Sequence, residues 1–438
     1  MTTQQTLQTE EYKQTELGEL PKSWEVVKVK DVSEKLKAGG TPSRGKKEYW
    51  NDDIPFVLIE DMTATRLYLI QTKEKITKKG LENSSAWIVP ENSILLSMYA
   101  TIGSTAINKI KLATNQAILA IIPKNNFDVL YGAYILRFNA ERLKSYNIAT
   151  TQKNVNKGIV ENFEIPLPPL PEQQNIAYVL STVQNAQEKT ENFINSLKEL
   201  KKSTMKHLFT YGAVSFEDID KVELKETEIG MMPKSWEVVE LGTIAEVKSG
   251  GTPATSKKQF WENGTIPWVK SGKCQDCYVN SADSFITKEG LDNSSAKILN
   301  SNTVLVAMVG ATVGKTGLLT FSACTNQNVA GIYPKENQKL NYLYLYYMLQ
   351  SRYCYFTKTE GFVIANLSFI KKLPVPYPNF TEQQNIASIL SAIDSKIQAE
   401  EQKKEALKET FNSLLRDLMT AKIRVNNLKI SNNTNTKR

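Results

Sequence analysis

The sequence predicts an α+β protein with a pseudo-twofold internal repeat, in which two mixed α/β domains are joined by two long antiparallel coiled-coil helices. Three observations carry that expectation. Thr15-Glu-Leu-Gly-Glu-Leu-Pro-Lys-Ser-Trp-Glu-Val-Val27 returns as Thr227-Glu-Ile-Gly-Met-Met-Pro-Lys-Ser-Trp-Glu-Val-Val239. Glu172-Gln-Gln-Asn-Ile-Ala177 returns as Glu382-Gln-Gln-Asn-Ile-Ala387. The period of about 210 residues far exceeds the roughly 20 to 50 of a solenoid, so each copy is a whole domain plus a helix. The third observation is a heptad pattern after each Glu-Gln-Gln. Ile176, Leu180, Val183, Gln187, Thr190, Ile194, Leu197, Lys201, Thr204 and Leu208 alternate by four and three, and Ile386, Leu390, Ile393, Ile397, Glu400, Lys404, Leu407, Phe411, Leu414 and Leu418 keep the same register. That is the seam of a coiled coil, and two such stripes shield each other from water if they pair.

The elements follow in order. An N-terminal arm (1–14) precedes a first domain (15–165), then come a first spacer helix (166–212), a linker (213–226), a second domain (227–375), a second spacer helix (376–424) and a polar tail (425–438) expected to be disordered. Short apolar runs such as Ile94-Leu-Leu-Ser-Met-Tyr and Val304-Leu-Val-Ala-Met-Val have strand length and residue types. Gly39-Gly-Thr-Pro42 and Gly250-Gly-Thr-Pro253, and Asn83-Ser-Ser85 and Asn293-Ser-Ser295, are repeated turn clusters. Each domain leaves through a proline-rich segment, Ile165-Pro-Leu-Pro-Pro-Leu-Pro171 or Leu373-Pro-Val-Pro-Tyr-Pro378, where helix interior is excluded. Thr381-Glu-Gln-Gln384 has the form of a capping box, while Pro171 stands in the threonine's place in the first copy. Each helix of about 40 residues is a rod of roughly 60 Å, which would set the domains at opposite ends.

Composition narrows the class. With 438 residues, 41% hydrophobic and 23% charged, the chain is of soluble globular type, and a net charge of +8 suits an acidic partner such as nucleic acid. No run approaches 18 apolar residues and the start lacks a signal peptide's pattern, so a cytoplasmic location is expected. The four cysteines, Cys274, Cys277, Cys324 and Cys354, all lie in the second half with no counterpart in the first, which argues for reduced thiols. Cys274-Gln-Asp-Cys277 has the spacing of a zinc or redox motif, but the single histidine, His207, sits in the other half at a helix end, where it reads as a surface residue.

The order of β-rich domain, proline-rich exit and Glu-Gln-Gln-x-Ile-Ala helix, given twice, resembles the specificity subunit of type I restriction-modification enzymes. The resemblance runs from about Thr15 to Arg424 and includes Gly-Gly-Thr-Pro and the Ala100-Thr-Ile-Gly103 and Ala311-Thr-Val-Gly314 turns. It implies that each half carries a target recognition domain for one part of a split double-stranded DNA sequence. It also implies that the helices act as a ruler and dock two modification (methyltransferase) subunits, with restriction (motor-nuclease) subunits joining for cleavage. S-adenosylmethionine, ATP and Mg are then expected on the partner subunits and no cofactor in this chain.

Catalytic signatures are weak. There is no glycine-rich methyl-donor loop and no Asn-Pro-Pro-aromatic element, the only Pro-Pro being Pro168-Pro169. Glu11-Tyr-Lys13 and Glu223-Leu-Lys225 match a nuclease fragment too short to carry meaning, and Gly310-Ala-Thr-Val-Gly314-Lys315 is one residue short of a phosphate loop. No catalytic or metal-binding residue is therefore assigned. The candidates are DNA contacts. Arg44, Lys46 and Lys47 follow the first Gly-Gly-Thr-Pro loop, and Lys257 and Lys258 follow the second, each group before an aromatic-Trp pair, Tyr49-Trp50 or Phe260-Trp261, which reads as a core anchor. Such cations suit phosphates. Thr114-Asn-Gln116 and Thr325-Asn-Gln327 could pair with adenine by geometry, but being shared they read as structural or backbone-contacting. Base reading is expected where the copies differ, at 58–71 against 270–284 and at 150–154 against 359–364, with Arg66, Gln152, Lys153, Asn154, Lys270 and Lys273 as donors. Lys315, at a turn tip, is a further candidate. The rival reading is a coiled-coil scaffold whose globular ends bind protein or carbohydrate.

Overall fold

The computed structural model describes residues 11–146, 155–353 and 365–428. The chain forms two compact units, Met1–Lys189 with Lys403–Arg438, and Thr190–Gln402, so part of each long helix belongs to each unit.

In the first unit a five-stranded sheet runs in the order Ser33–Ala38, Ile118–Pro123, Ile94–Ser97, Thr105–Asn108, Tyr68–Leu69. It is antiparallel except for its last pair. Side chains alternate between its faces as the two-residue strand period requires. Ile94, Leu96, Ile107, Leu119 and Ile121 join the main core with Tyr131, Tyr134 and Leu136 of the helix Val129–Phe138. Leu95, Ala106, Ile118 and Ala120 face a second core with Val57, Met62 and Leu69. Burial on both faces explains why these strands read as unbroken apolar runs. A three-stranded sheet, Ala113–Thr114, Trp50–Val57, Glu74–Ile76, contributes Val57 to the second core and holds a small cluster of its own with Phe56, Ile76 and Ala113.

The second unit repeats the plan. Its five strands are Ala245–Ser249, Val329–Pro334, Val304–Ala307, Thr316–Leu319 and Cys277–Val279, again antiparallel except for the last pair. Its three-stranded sheet is Cys324–Thr325, Ile266–Val269, Ser284–Ile286.

The proline-rich exits are strands of two-stranded ribbons, Glu164–Leu167 against Glu25–Lys28 and Pro374–Tyr377 against Glu237–Glu240. Proline is tolerated there because a ribbon leaves one edge of each strand unpaired. A buried tyrosine ties each exit to its domain, Tyr131 Oη donating to the Pro166 carbonyl and Tyr344 Oη to that of Pro376, both at 2.8 Å.

The long helices span Leu170–Tyr211 and Phe380–Met419. The second begins one residue before Thr381, and Asn379 Oδ1 accepts from the Glu382 amide at 2.9 Å. Asn379 thus does the capping that the sequence pattern assigns to Thr381. The first glutamine of each Glu-Gln-Gln turn is buried. Gln173 accepts from the Asp128 amide and donates to the carbonyls of Asn126 and Pro168, while Gln383 accepts from the Asn341 amide and donates to those of Lys339 and Pro378. Ile176, Ala177 and Leu180 then enter the first core, and Ile386, Ala387 and Leu390 the second.

The pairing is antiparallel within each unit. In the first, Gln187 Nε2 donates to the Leu407 carbonyl at 2.9 Å, and Leu418 and Met419 join the core that holds Ile176. In the second, Ile194, Leu197 and Ile397 form a small apolar cluster flanked by Lys198–Glu401 at 2.9 Å. Leu208 and Phe209 join the core that holds Ile386.

Lys201, a polar member of the seam, pairs with Asp394 at 2.8 Å, both side chains only 13% exposed. Tyr347 Oη donates to the same carboxylate at 2.8 Å. The corresponding first-unit residues are neutral: Tyr134 Oη donates to Gln184 Oε1 at 3.0 Å and its ring meets Phe411 edge-on at 6.0 Å.

The tail is not wholly free. Arg424 holds the buried Glu172 at 2.6 and 2.8 Å, Trp24 Nε1 donates to that carboxylate at 2.9 Å, and Asn175 Nδ2 donates to the Val425 carbonyl at 2.7 Å. In the second unit Glu382 accepts from the Ala213 amide at 2.7 Å. His207 is half-buried rather than a plain surface residue, lying against Phe216 at 4.5 Å with Nε2 2.9 Å from the Val214 carbonyl. No described helix is long and apolar enough to cross a membrane.

Breaking a buried ion pair from one side costs about 3 to 5 kcal/mol. Arg424→Ala is therefore expected to destabilise the first unit by that amount. Glu172→Gln in the same chain should recover part of the loss. Denaturant unfolding of the four chains of this cycle measures both effects.

Candidate nucleic-acid interface

The motifs repeated along the sequence converge in space in each unit. The Gly40 amide donates to the Thr114 carbonyl at 3.0 Å, and the Gly251 amide to that of Thr325 at 2.8 Å. A Cβ on Gly39 would lie 1.8 Å from the Thr114 carbonyl oxygen, and one on Gly40 would lie 2.6 Å from Ser85 Cβ. At Gly250 and Gly251 the clashes would be with Thr325 O at 2.1 Å and Ser295 Oγ at 2.3 Å. The glycines are there because the backbone of one turn lies directly on the others. Thr41 and Thr252 then donate their hydroxyls to the side-chain oxygens of Gln116, at 2.7 Å, and Gln327.

The basic residues stand on a short loop anchored from below by the aromatic pair. Tyr49 and Phe260 are buried, and Trp50 and Trp261 donate to the carbonyls of Ser43 (3.1 Å) and Ala254 (3.3 Å). Trp50 packs edge-on against Phe56 at 5.4 Å and Trp261 against Trp268 at 5.1 Å, so these rings are core anchors.

Above them Arg44 stacks on Trp50 at 3.9 Å and pairs with Glu74 at 2.8 Å. Lys46 donates to Tyr49 Oη at 3.1 Å, which raises its pKa further above neutrality, and Lys47 is exposed. In the second unit Lys257 lies over Phe260 at 5.0 Å, and Lys258 is exposed with Glu262 3.8 Å away. A cation resting on an aromatic face keeps its charge outward and loses little freedom on binding an anion.

The stretches that differ between copies also differ in form. Ile59–Ala64 is a short helix followed by Arg66, whose carbonyl accepts from Arg137 at 2.8 Å. Arg66 lines a cavity of about 690 Å³ with Arg137, Lys144 and the Ala100–Gly103 turn. In the second unit Ser271–Lys273 is a single 3-10 turn, with the Lys270 amide bonded to Asp283 at 2.8 Å and Lys273 Nζ to Ser281 at 3.0 Å. Lys315 is not a bare turn tip, since Asp276 holds its ammonium at 2.6 Å. Gln152, Lys153, Asn154 and the stretch 359–364 lie outside the described residues.

Sequence reasoning missed Lys35 and Lys37, which lie over Trp87 at 4.4 and 5.4 Å on the edge strand that leads into Gly39. Their i, i+2 spacing, which puts both on one strand face, was the available signal. Of the cysteines, Cys274 is buried and its thiol is pushed up to about 12 by that burial, while Cys277 is exposed. Among the described residues no group of three or more metal-ligating side chains is gathered.

The model of the type I restriction modification DNA specificity domain matches residues 21–225 and 233–409. The chain belongs to this family. A specificity subunit named for the type I restriction enzyme MjaIX of Methanocaldococcus jannaschii is 29% identical over 432 residues, covering 95% of this chain and 98% of that one. The EcoR124I/EcoR124II specificity subunit of Escherichia coli is 32% identical over 163 residues, covering 35% of this chain and 40% of that one. The S subunit of a type I restriction-modification system from M. genitalium superposes with a TM-score of 0.58 at 16% identity, over 90% of this chain and 96% of that one. This specificity subunit is thus a DNA-recognition component and not the catalytic part of its complex.

The convergence of turns has a direct test. Gly39→Ala forces a Cβ against the backbone and should cost about 3 kcal/mol, at the upper end of overpacking penalties. Gly45→Ala, whose Cβ would find nothing nearer than Ser43 Oγ at 4.0 Å, should be close to neutral. Thermal unfolding of the two variants compares them.

Proposed function

We propose that this specificity subunit binds a bipartite, asymmetric duplex target, each half-site being read by one recognition domain, 15–165 or 227–375. In this reading the two long helices fix the gap between half-sites and dock two modification subunits, restriction subunits join them, and the complex methylates adenine or cleaves according to the target's state. The observation that carries the reading is the duplication itself: one frame occurs twice, with unlike segments at 58–71 and 270–284 set into it. Two like domains on one frame, differing where they would touch bases, suit a target of two unlike halves.

Roles divide by the same logic. Arg44, Lys46, Lys47, Lys257 and Lys258, on the shared loop, act on phosphates. Arg66, Lys270 and Lys273, together with Gln152, Lys153 and Asn154, act on base edges. Lys315 takes part only by exchanging Asp276 for a phosphate.

Four outcomes follow. Replacing Lys257 and Lys258 together by alanine should weaken binding to every duplex and reduce the slope of log affinity against log salt by about two, since each phosphate contact contributes about 0.9. Lys270 or Lys273 replaced by alanine should instead change preference at particular bases, by about 1 to 3 kcal/mol per lost contact. Both are read in salt titrations of duplex binding by the complex with the modification subunit.

Exchanging residues 15–158 for an unrelated recognition domain of the family should change one half-site and keep the other. Inserting one heptad into both long helices should keep both and widen the gap by about three base pairs, from 1.5 Å per residue against 3.4 Å per base pair. Sequencing of modified bases in cells carrying each chain reads the result. A domain exchange that altered both half-sites would sink independent reading, and an unmodified genome beside an intact complex would favour the scaffold alternative.

A further inference from the structure

We infer that Gln116 and Gln327 are paired contacts to the phosphate backbone, donor groups that hold any duplex irrespective of its sequence. The inference rests on the reading of the chain as a DNA binder and adds a site to it.

A glutamine that reads adenine uses both ends of its carboxamide, the oxygen accepting from the base N6 and the NH2 donating to N7. Here the oxygen is engaged: Thr41 donates to Gln116 Oε1 at 2.7 Å, and Thr252 donates to Gln327 Oε1. Both glutamines are exposed, and among the described residues neither Nε2 donates to another protein group. What each turn presents to solvent is therefore an amide NH2, a pair of donors whose matching acceptor is tied back into the loop. A presented pair of donors, beside an oxygen already bonded within the loop, suits an oxyanion.

Three further features agree. The carboxamides are held on turns whose backbones lie directly on Gly39 and Gly250, so little freedom remains to be lost on binding. The cations Lys46 and Lys47 follow Thr41 by five and six residues, and Lys257 and Lys258 follow Thr252 at the same spacing. Both copies are chemically identical here while the neighbouring stretches differ, so what they touch is common to both half-sites. Phosphate is the part of duplex DNA that meets that condition.

The test uses the full-length chain in complex with its modification subunit, a duplex carrying the target and a scrambled duplex, over a range of salt. Gln116→Ala and Gln327→Ala should each lower affinity about ten- to a hundredfold, by the same factor on both duplexes, as expected for hydrogen bonds to a charged group. The slope against log salt should stay at its wild-type value, because no charge is removed, whereas the lysine replacements reduce it. Gln116→Glu, which keeps the shape but replaces the donors by a carboxylate, should lose more affinity than Gln116→Ala at an unchanged melting temperature. Thr41→Val, which frees the carboxamide, should fall between wild type and Gln116→Ala.

A loss confined to the target duplex would overturn the proposal by showing base reading, and unchanged affinity in folded Gln→Ala variants would overturn it outright. A fall in melting temperature with unaltered affinity would assign the pair a structural role alone. If the wild-type complex binds neither duplex at any salt, it is the reading of the chain as a DNA binder that fails.

Discussion

The buried first glutamine of the Glu-Gln-Gln turn at the head of each long helix is the constraint from which the rest of the molecule follows. Gln173 and Gln383 are 1% and 0% exposed, and each satisfies its carboxamide on one backbone amide and two carbonyls of its own domain. An amide so buried is costly unless fully bonded, and once fully bonded it allows only one placement of the helix on the domain. The carboxylate beside it, Glu172 or Glu382, is then aimed at whatever closes the unit. In one case that is Arg424 near the chain's end, and in the other the amide of Ala213 just after the first helix.

Helices held in this way need a seam that tolerates polar members. Lys201 and Asp394 are nearly buried, and such a pair gives little net stability because desolvation offsets the attraction. Tyr347, donating to the same carboxylate, supplies the additional hydrogen bond that makes the site acceptable. In the first unit the same frame is filled by Gln184, Phe411 and Tyr134, a neutral solution that avoids the cost of desolvating charges. The two seams are alike in geometry and unlike in chemistry, so the repeat is a repeat of shape.

The recognition domains follow the same rule. Glycine, threonine and asparagine turns are kept where backbone lies on backbone, because a Cβ at Gly39 or Gly250 has no room. Aromatic anchors lie under the basic loops in both copies, and their burial frees the lysines above them to face solvent. Between these fixed points the chain varies, as a short helix at Ile59–Ala64 or a 3-10 turn at Ser271–Lys273. A rigid frame with interchangeable inserts is what a protein needs if its target is to change without refolding.

The sequence by itself determined the duplication, the two long helices, the proline-rich exits and the division between shared and differing segments. All of these are periodic or local signals, written in residues close together along the chain. It placed the helix cap on Thr381, because the capping-box pattern is local, whereas the cap is Asn379, one residue before the helix begins. Only the tertiary structure decided which charges remain available. Arg44 with Glu74 and Lys315 with Asp276 are pairs separated by 30 and 39 positions, and nothing in the pattern around either cation announces its partner. The Thr41–Gln116 and Thr252–Gln327 bonds join motifs 75 residues apart in each copy. Such contacts depend on how strands pair and turns stack, a long-range outcome of burying both faces of a sheet, and so they become visible only when the chain is folded.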